Sequence, residues 1–77
     1  MLYVYYIGDM KYIGNKLKVL RAEHNLTQDE LAKKLKISRT TVIYLENGQY
    51  MPSLLLAFQI AHYFQKSIQE IFIVEPS

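Results

Sequence analysis

A chain of 77 residues has room for one domain and one hydrophobic core. Its apolar fraction of 51% suits a globular protein, and the lack of cysteine excludes disulfide and thiolate-metal frameworks and gives no sign of an oxidising compartment. The net charge of +2 is too small to name a partner, and no apolar run approaches the roughly 18 residues of a membrane span.

The opening MLYVYYIGDMK is apolar but has no basic n-region or cleavage site, so it is not read as a signal peptide and the chain is expected to be cytoplasmic. Leu2 to Ile7, rich in aromatic and β-branched residues, predicts a strand. Gly8-Asp9 is a two-residue hairpin signal with glycine first, and Met10 to Ile13 can return as the partner. Tyr3, Tyr5, Tyr6 and Tyr12 fall in this segment, where a core or dimer role outweighs stacking on single-stranded nucleic acid. Gly14-Asn15 breaks the pattern, with Asn15 as an N-cap, and a first helix is expected from about Lys16 to His24. Leu17, Leu20 and Arg21 share one of its faces, and Val19 lies off it.

Thr27 to Gly48, TQDELAKKLKISRTTVIYLENG, reads as two short helices joined by a tight turn. Thr27 caps the first of the pair and Glu30 completes a capping box. Leu31, Ala32 and Leu35 form an apolar face, with Ala32 small where the next helix crosses. Ile37 ends the run, Ser38 is a second N-cap, Val42 and Leu45 make the next stripe, and Asn47-Gly48 supplies a left-handed stop. Pro52 and Ser53 then start a fourth helix over about Leu54 to Phe64. Leu54, Ala57, Ala61 and Phe64 lie near one face, with Leu56 and Ile60 beside it. Gln65-Lys66 is a turn, Ser67 caps a last helical turn from Ile68 to Phe72, and a terminal strand ends at Pro76, covering about Phe72 to Glu75. The two strand-like ends are expected to pair into a small antiparallel sheet, because an isolated hairpin is barely stable in water. The whole reads as one domain: a hairpin arm over 1–12, a helical body over 13–72 with the helix-turn-helix at 27–47, and a strand over 72–75.

Charge is distributed unevenly. Residues 11–39 carry eight basic and three acidic side chains, a balance of +5, and the remainder balances to −3. A basic half that holds the helix-turn-helix is what a one-sided phosphate-binding surface needs.

From Ile13 to Phe72 the chain resembles the lambda-repressor-like Cro/CI (XRE) family of DNA-binding proteins. The markers are the LR of the first helix, LTQDELA, ISRTT, LENG and PSL, in order and at the usual spacing. The resemblance implies a mostly α, five-helix domain whose third helix enters the major groove. It implies a sequence-specific regulator of transcription that binds double-stranded DNA, with a homodimeric repressor reading a palindromic operator as the leading form. Base contacts would fall to Arg39, Thr40 and Tyr44; an arginine suits guanine, whose O6 and N7 accept two donors in one plane. Backbone contacts would fall to Gln28, Ser38, Thr41, Asn47 and Lys36. Arg21 and Glu46 match an ion pair that braces the first helix against the end of the third in relatives. Leu55, in a position usually polar, could join Ile68, Ile71 and Phe72 in an apolar dimer patch. The turn position that is commonly glycine in the family is Lys36 here, so a non-glycine residue is expected at positive φ, and Gln65 stands where relatives often have another turn glycine.

An enzyme is not expected. His24 and His62 are far apart with no partner at catalytic spacing, and no metal or cofactor is implied. The nearer rival is an antitoxin, which binds DNA and also a protein toxin through its apolar ends.

Overall fold

The computed structural model describes residues 5–76. Tyr5–Ile7 (β1) and Met10–Asn15 (β2) form an antiparallel hairpin in which Ile7 faces Met10. The loop is therefore Gly8-Asp9, with Gly8 at φ 57°, the glycine-first form whose twist matches its strands. Residues 2–4 of the expected strand and the side chains of Tyr3, Tyr5 and Tyr6 lie outside what is described. Phe72–Pro76 (β3) pairs antiparallel with the other edge of β2, giving the sheet order β1-β2-β3 that pairing of the termini predicts. Tyr12 faces Val74 and Gly14 faces Ile73, so Ile13 is the extra residue of a bulge.

Five helices lie between the strands: Leu17–Glu23 (α1), Gln28–Leu35 (α2), Arg39–Glu46 (α3), Leu54–Phe64 (α4) and Ile68–Ile71 (α5). Thr27 and Ser67 each form a complete capping box, and Ser38 and Ser53 accept from the third backbone N–H beyond them. Asn15 is displaced from its expected place, since Lys16 is the N-cap of α1 and makes no side-chain cap bond. The Asn15 Oδ1 still accepts from the Leu17 N–H at 3.0 Å, one position early.

The four longer helices end alike. At each C-terminus a residue in the left-handed region turns the chain and two N–H groups reach back, from Leu26 to Arg21, Ile37 to Ala32, Gln49 to Tyr44 and Lys66 to Ala61 in the longer of the two bonds. The left-handed residues are Asn25, Lys36, Gly48 and Gln65, at φ 54°, 58°, 72° and 56°. Three of the four carry a Cβ, which raises the cost of that backbone, and the paired bonds offset it by satisfying otherwise free carbonyls.

Buried side chains of every helix and of the sheet form one core cluster. Leu31, Leu35, Val42 and Leu45 are essentially inaccessible between α2 and α3, and each such side chain contributes about 1.5–3 kcal/mol relative to exposure. Ala32 is buried beside them, where a larger side chain would push the helices apart. This packing holds the angle of α3.

Two expectations about exposure are corrected. Ile71 and Phe72 are not dimer-patch residues: both are buried, with Ile71 inaccessible. The reason is that α5 has a single turn, after which the chain enters β3 directly; Phe72 pairs with Asn15, and the Ile71 carbonyl accepts from the Lys16 N–H at 2.8 Å. These two residues thus close the core under the sheet. Leu54 was expected on the inner face of α4, but it is 72% exposed. The buried arc is Leu56, Ala57, Ile60, Ala61 and Phe64, and Leu54 sits about a quarter turn off its centre at the free end of the helix.

Candidate nucleic-acid interface

The third helix presents its first turn to solvent because of its cap and its stripe. Ser38 Oγ accepts from the Thr41 N–H at 3.0 Å and lies 2.8 Å from the Thr41 hydroxyl. That fixes the start of α3 and engages Thr41, which is half-buried. Val42 and Leu45 point into the core, so Arg39, Thr40 and Tyr44 are left on the outer face, Tyr44 at 49% exposure. Thr40 and Tyr44 are one turn apart and share that face.

The start of α2 lies beside the start of α3. Arg21, Thr27, Gln28, Asp29 and Arg39 line one open depression. Helix N-termini carry unpaired N–H groups and a positive dipole end, and here two of them converge on one side of the molecule. Asp29, the acidic side chain in this depression, lies 3.3 Å from the Lys33 ammonium, which reduces its repulsion of an anion. Lys33, Lys34 and Lys36 are exposed at the end of α2, so the basic charge of the 11–39 region is open to solvent there.

Behind this face a polar network ties the helices together. Arg21 Nε donates to Glu46 Oε2 at 2.6 Å, and its Nη2 reaches Glu46 Oε1 at 3.4 Å. Arg21 Nη1 donates to the Leu26 carbonyl at 2.8 Å, and Gln28 Nε2 donates to Glu46 Oε1 at 3.1 Å. The Glu46 side chain is only 2% exposed, and its pairing with Arg21 offsets its charge toward any phosphate outside. One carboxylate therefore connects α1, the start of α2 and the end of α3. Asn47, the C-cap of α3, is exposed just beyond it.

Three contributors were not legible in the sequence. Asn15 Nδ2 donates to the Leu45 carbonyl at 2.8 Å and to the Tyr12 hydroxyl at 2.9 Å, so it joins the sheet to the end of α3. Gln59 Nε2 donates to the Leu35 carbonyl at 2.7 Å and stops the end of α2 from fraying. The bond from Gln28 to Glu46 is the third. Each links residues 18 or more apart, and no local signal marks such a pair.

The helix-turn-helix family model matches residues 17–71, the body from α1 to α5. The chain belongs to that family, of the XRE type. This helix-turn-helix protein is a DNA-binding transcriptional regulator, and the family is typically non-enzymatic. An uncharacterized HTH-type transcriptional regulator of Methanocaldococcus jannaschii is 61% identical over 61 residues, covering 79% of this chain and 92% of that protein. The crystal structure of a transcriptional regulator from Listeria innocua superimposes with a TM-score of 0.66 at 29% identity, over 75% of this chain and 58% of that one. The transcriptional regulator VanUg has the same fold, with a TM-score of 0.68 at 23% identity over 95% and 96% of the two chains. Among the described residues no helix is long and apolar enough to cross a membrane.

Proposed function

We propose that the chain acts in the cytoplasm as a homodimer that reads a palindromic operator, each copy laying α3 in the major groove, and represses transcription by occupying a promoter. The observation that carries this reading is the outer face of α3. Arg39 and Thr40 stand exposed at its first turn and Tyr44 one turn later, on a helix whose opposite side is locked into the core. Arg39 is assigned to a guanine edge, and Thr40 and Tyr44 to neighbouring base edges. Gln28, Ser38, Thr41, Asn47 and Lys36 are assigned to the phosphate backbone. Gln28, Ser38 and Thr41 lie at helix N-terminal ends, where free N–H groups favour an anion, while Lys36 and Asn47 bring an ammonium and an amide from the C-caps of α2 and α3. Residues 1–77 act as one DNA-binding unit in this scheme.

One α3 touches too few bases to be selective in a genome, and two copies on inverted half-sites multiply the discrimination. Occupancy is enough for repression, since the dimer and the polymerase compete for the same DNA. No observation favours the antitoxin reading, and it is not carried forward. Selection of bound sites from a random DNA pool tests the proposal. Enriched sequences should hold two inverted half-sites about one helical turn apart. A reporter driven by a promoter containing them should fall when the protein is expressed. A single unrepeated half-site, or no enrichment, would refute the dimeric operator, and a rise in the reporter would refute repression.

A further inference from the structure

We infer, resting on the dimeric reading above, that the outer face of α4 bearing Leu54, Leu55 and Phe58 is the surface on which a second copy of this chain docks. These side chains are 72%, 80% and 55% exposed and lie within one turn of each other on one side of the helix. Tyr50 and Met51, each 38% exposed, precede them in the connection from α3. Together the five expose on the order of 600 Å², the upper end of what a monomer's largest apolar patch shows. A stable interface needs about 800 Å² from each partner. The polar rim of Ser53, Gln59 and His62 around the patch is the source of the remainder.

Charge argues for a second copy as the occupant. Residues 47–65 contain no Lys, Arg, Asp or Glu, although such residues make up 21% of the chain. In a two-fold contact each residue meets its own neighbourhood, so a single-sign charge there would face itself; a patch with no charge meets its copy without repulsion. Aromatic residues and methionine with few charges are also the composition of interface centres.

Position agrees with function. The α4 face begins just beyond the C-terminal end of α3, while Arg39 and Thr40 stand at the opposite end. A two-fold axis beside α4 leaves both reading ends free. The molecule measures 35 × 27 × 21 Å, so a pair of copies is large enough to span the ~34–36 Å between successive half-sites. Among the described side chains a second apolar area, Met10, Ile73 and Val74 on the sheet, is 40–49% exposed and is flanked by Lys16 and Glu75.

Sedimentation equilibrium on the full chain tests the assignment, with wild type compared against Leu55→Glu/Phe58→Glu and against Val74→Lys as the sheet control. All the changed positions are exposed, and far-UV circular dichroism verifies the fold of each variant. The wild type and Val74→Lys should be dimers, and the double variant should be monomeric. Its affinity for a two-half-site operator should fall at least tenfold, with binding to a single half-site unchanged. A double variant that remains dimeric overturns the α4 surface and leaves the dimeric reading standing, as does dissociation caused by Val74→Lys alone. A wild type that is monomeric both free and on operator DNA overturns the dimeric reading itself, and this surface with it.

Discussion

Arg21→Met removes one side of the polar network behind the outer face of α3. In the folded chain Arg21 supplies two of the three side-chain donors that reach the Glu46 carboxylate, the third being the Gln28 amide. The variant leaves that carboxylate 2% exposed with one donor, an uncompensated buried charge. Breaking a buried pair in this way costs about 3–5 kcal/mol. The lower end applies here, because Arg21 is 17% exposed, so the original pair was not fully desolvated. A chain of 77 residues has a total stability of about 4–12 kcal/mol, so a loss of ~3 is a large share of it. It corresponds to a fall in Tm of about 12–24 °C at this size. Urea and thermal melts followed by circular dichroism measure it. The diagnostic comparison is Arg21→Met/Glu46→Leu, which removes both charges and should be more stable than Arg21→Met alone. Additive losses in that cycle, or a loss below about 1 kcal/mol for Arg21→Met, would refute the account of a buried, mutually dependent pair. The exposed pair of Lys33 and Asp29 is the contrast: its removal should cost no more than about 0.5 kcal/mol and should be sensitive to salt.

Arg39→Ala should lose about 1–3 kcal/mol of specific binding and relax selectivity at one operator position, read by competition among single-base variants of the selected site. Unchanged discrimination at every position would remove Arg39 from base reading. Lys36→Gly should stabilise the fold by about 0.5–1 kcal/mol, since glycine occupies the left-handed region at φ 58° without the Cβ penalty. The same variant should lower the slope of log affinity against log salt by about one if Lys36 neutralises a phosphate, and an unchanged slope would exclude that contact. The Glu30 and Glu70 carboxylates are held below their ordinary value of 4.5 by the backbone N–H groups of Thr27 and Ser67, then by the hydroxyls of the same residues. Because the folded values lie below the unfolded ones, the resulting stabilisation is present above about pH 4.5 and is lost as pH falls through the lowered values. Glu30→Gln/Glu70→Gln should therefore show a shallower decline in Tm on the acid side of pH 4.5 than the wild type, and parallel declines would count against the capping boxes as its source.

Much of this protein was legible in its residue order because the informative signals are local. Capping boxes span four residues, helix faces repeat every three or four, and a glycine-first loop sets its own hairpin. Thr27 with Glu30, Ser38 and Ser53 therefore placed the starts of α2, α3 and α4 correctly, and the turn position Lys36 adopts the positive φ expected of it. Local signals could not say which side of α4 is covered. An apolar residue at a helix end reads as core whether or not another element reaches it, so Leu54 was misassigned. Ile71 and Phe72 were misassigned for the opposite reason: their apolar character fits a surface patch as well as a core, and only the return of β3 along β2 covers them.

The sequence by itself determined the helix-turn-helix, its caps and stops, and the three side chains that leave the outer face of α3. Those features depend on backbone geometry over a few residues. Tertiary structure alone decided how that face is held and which side of α4 stays uncovered. Asn15 meets the end of α3, Gln59 the end of α2, and Gln28 joins Arg21 at Glu46, because packing brings together groups 18 to 30 residues apart. The uncharged face of α4 emerged in the same way, since exposure is a property of what the rest of the chain leaves uncovered.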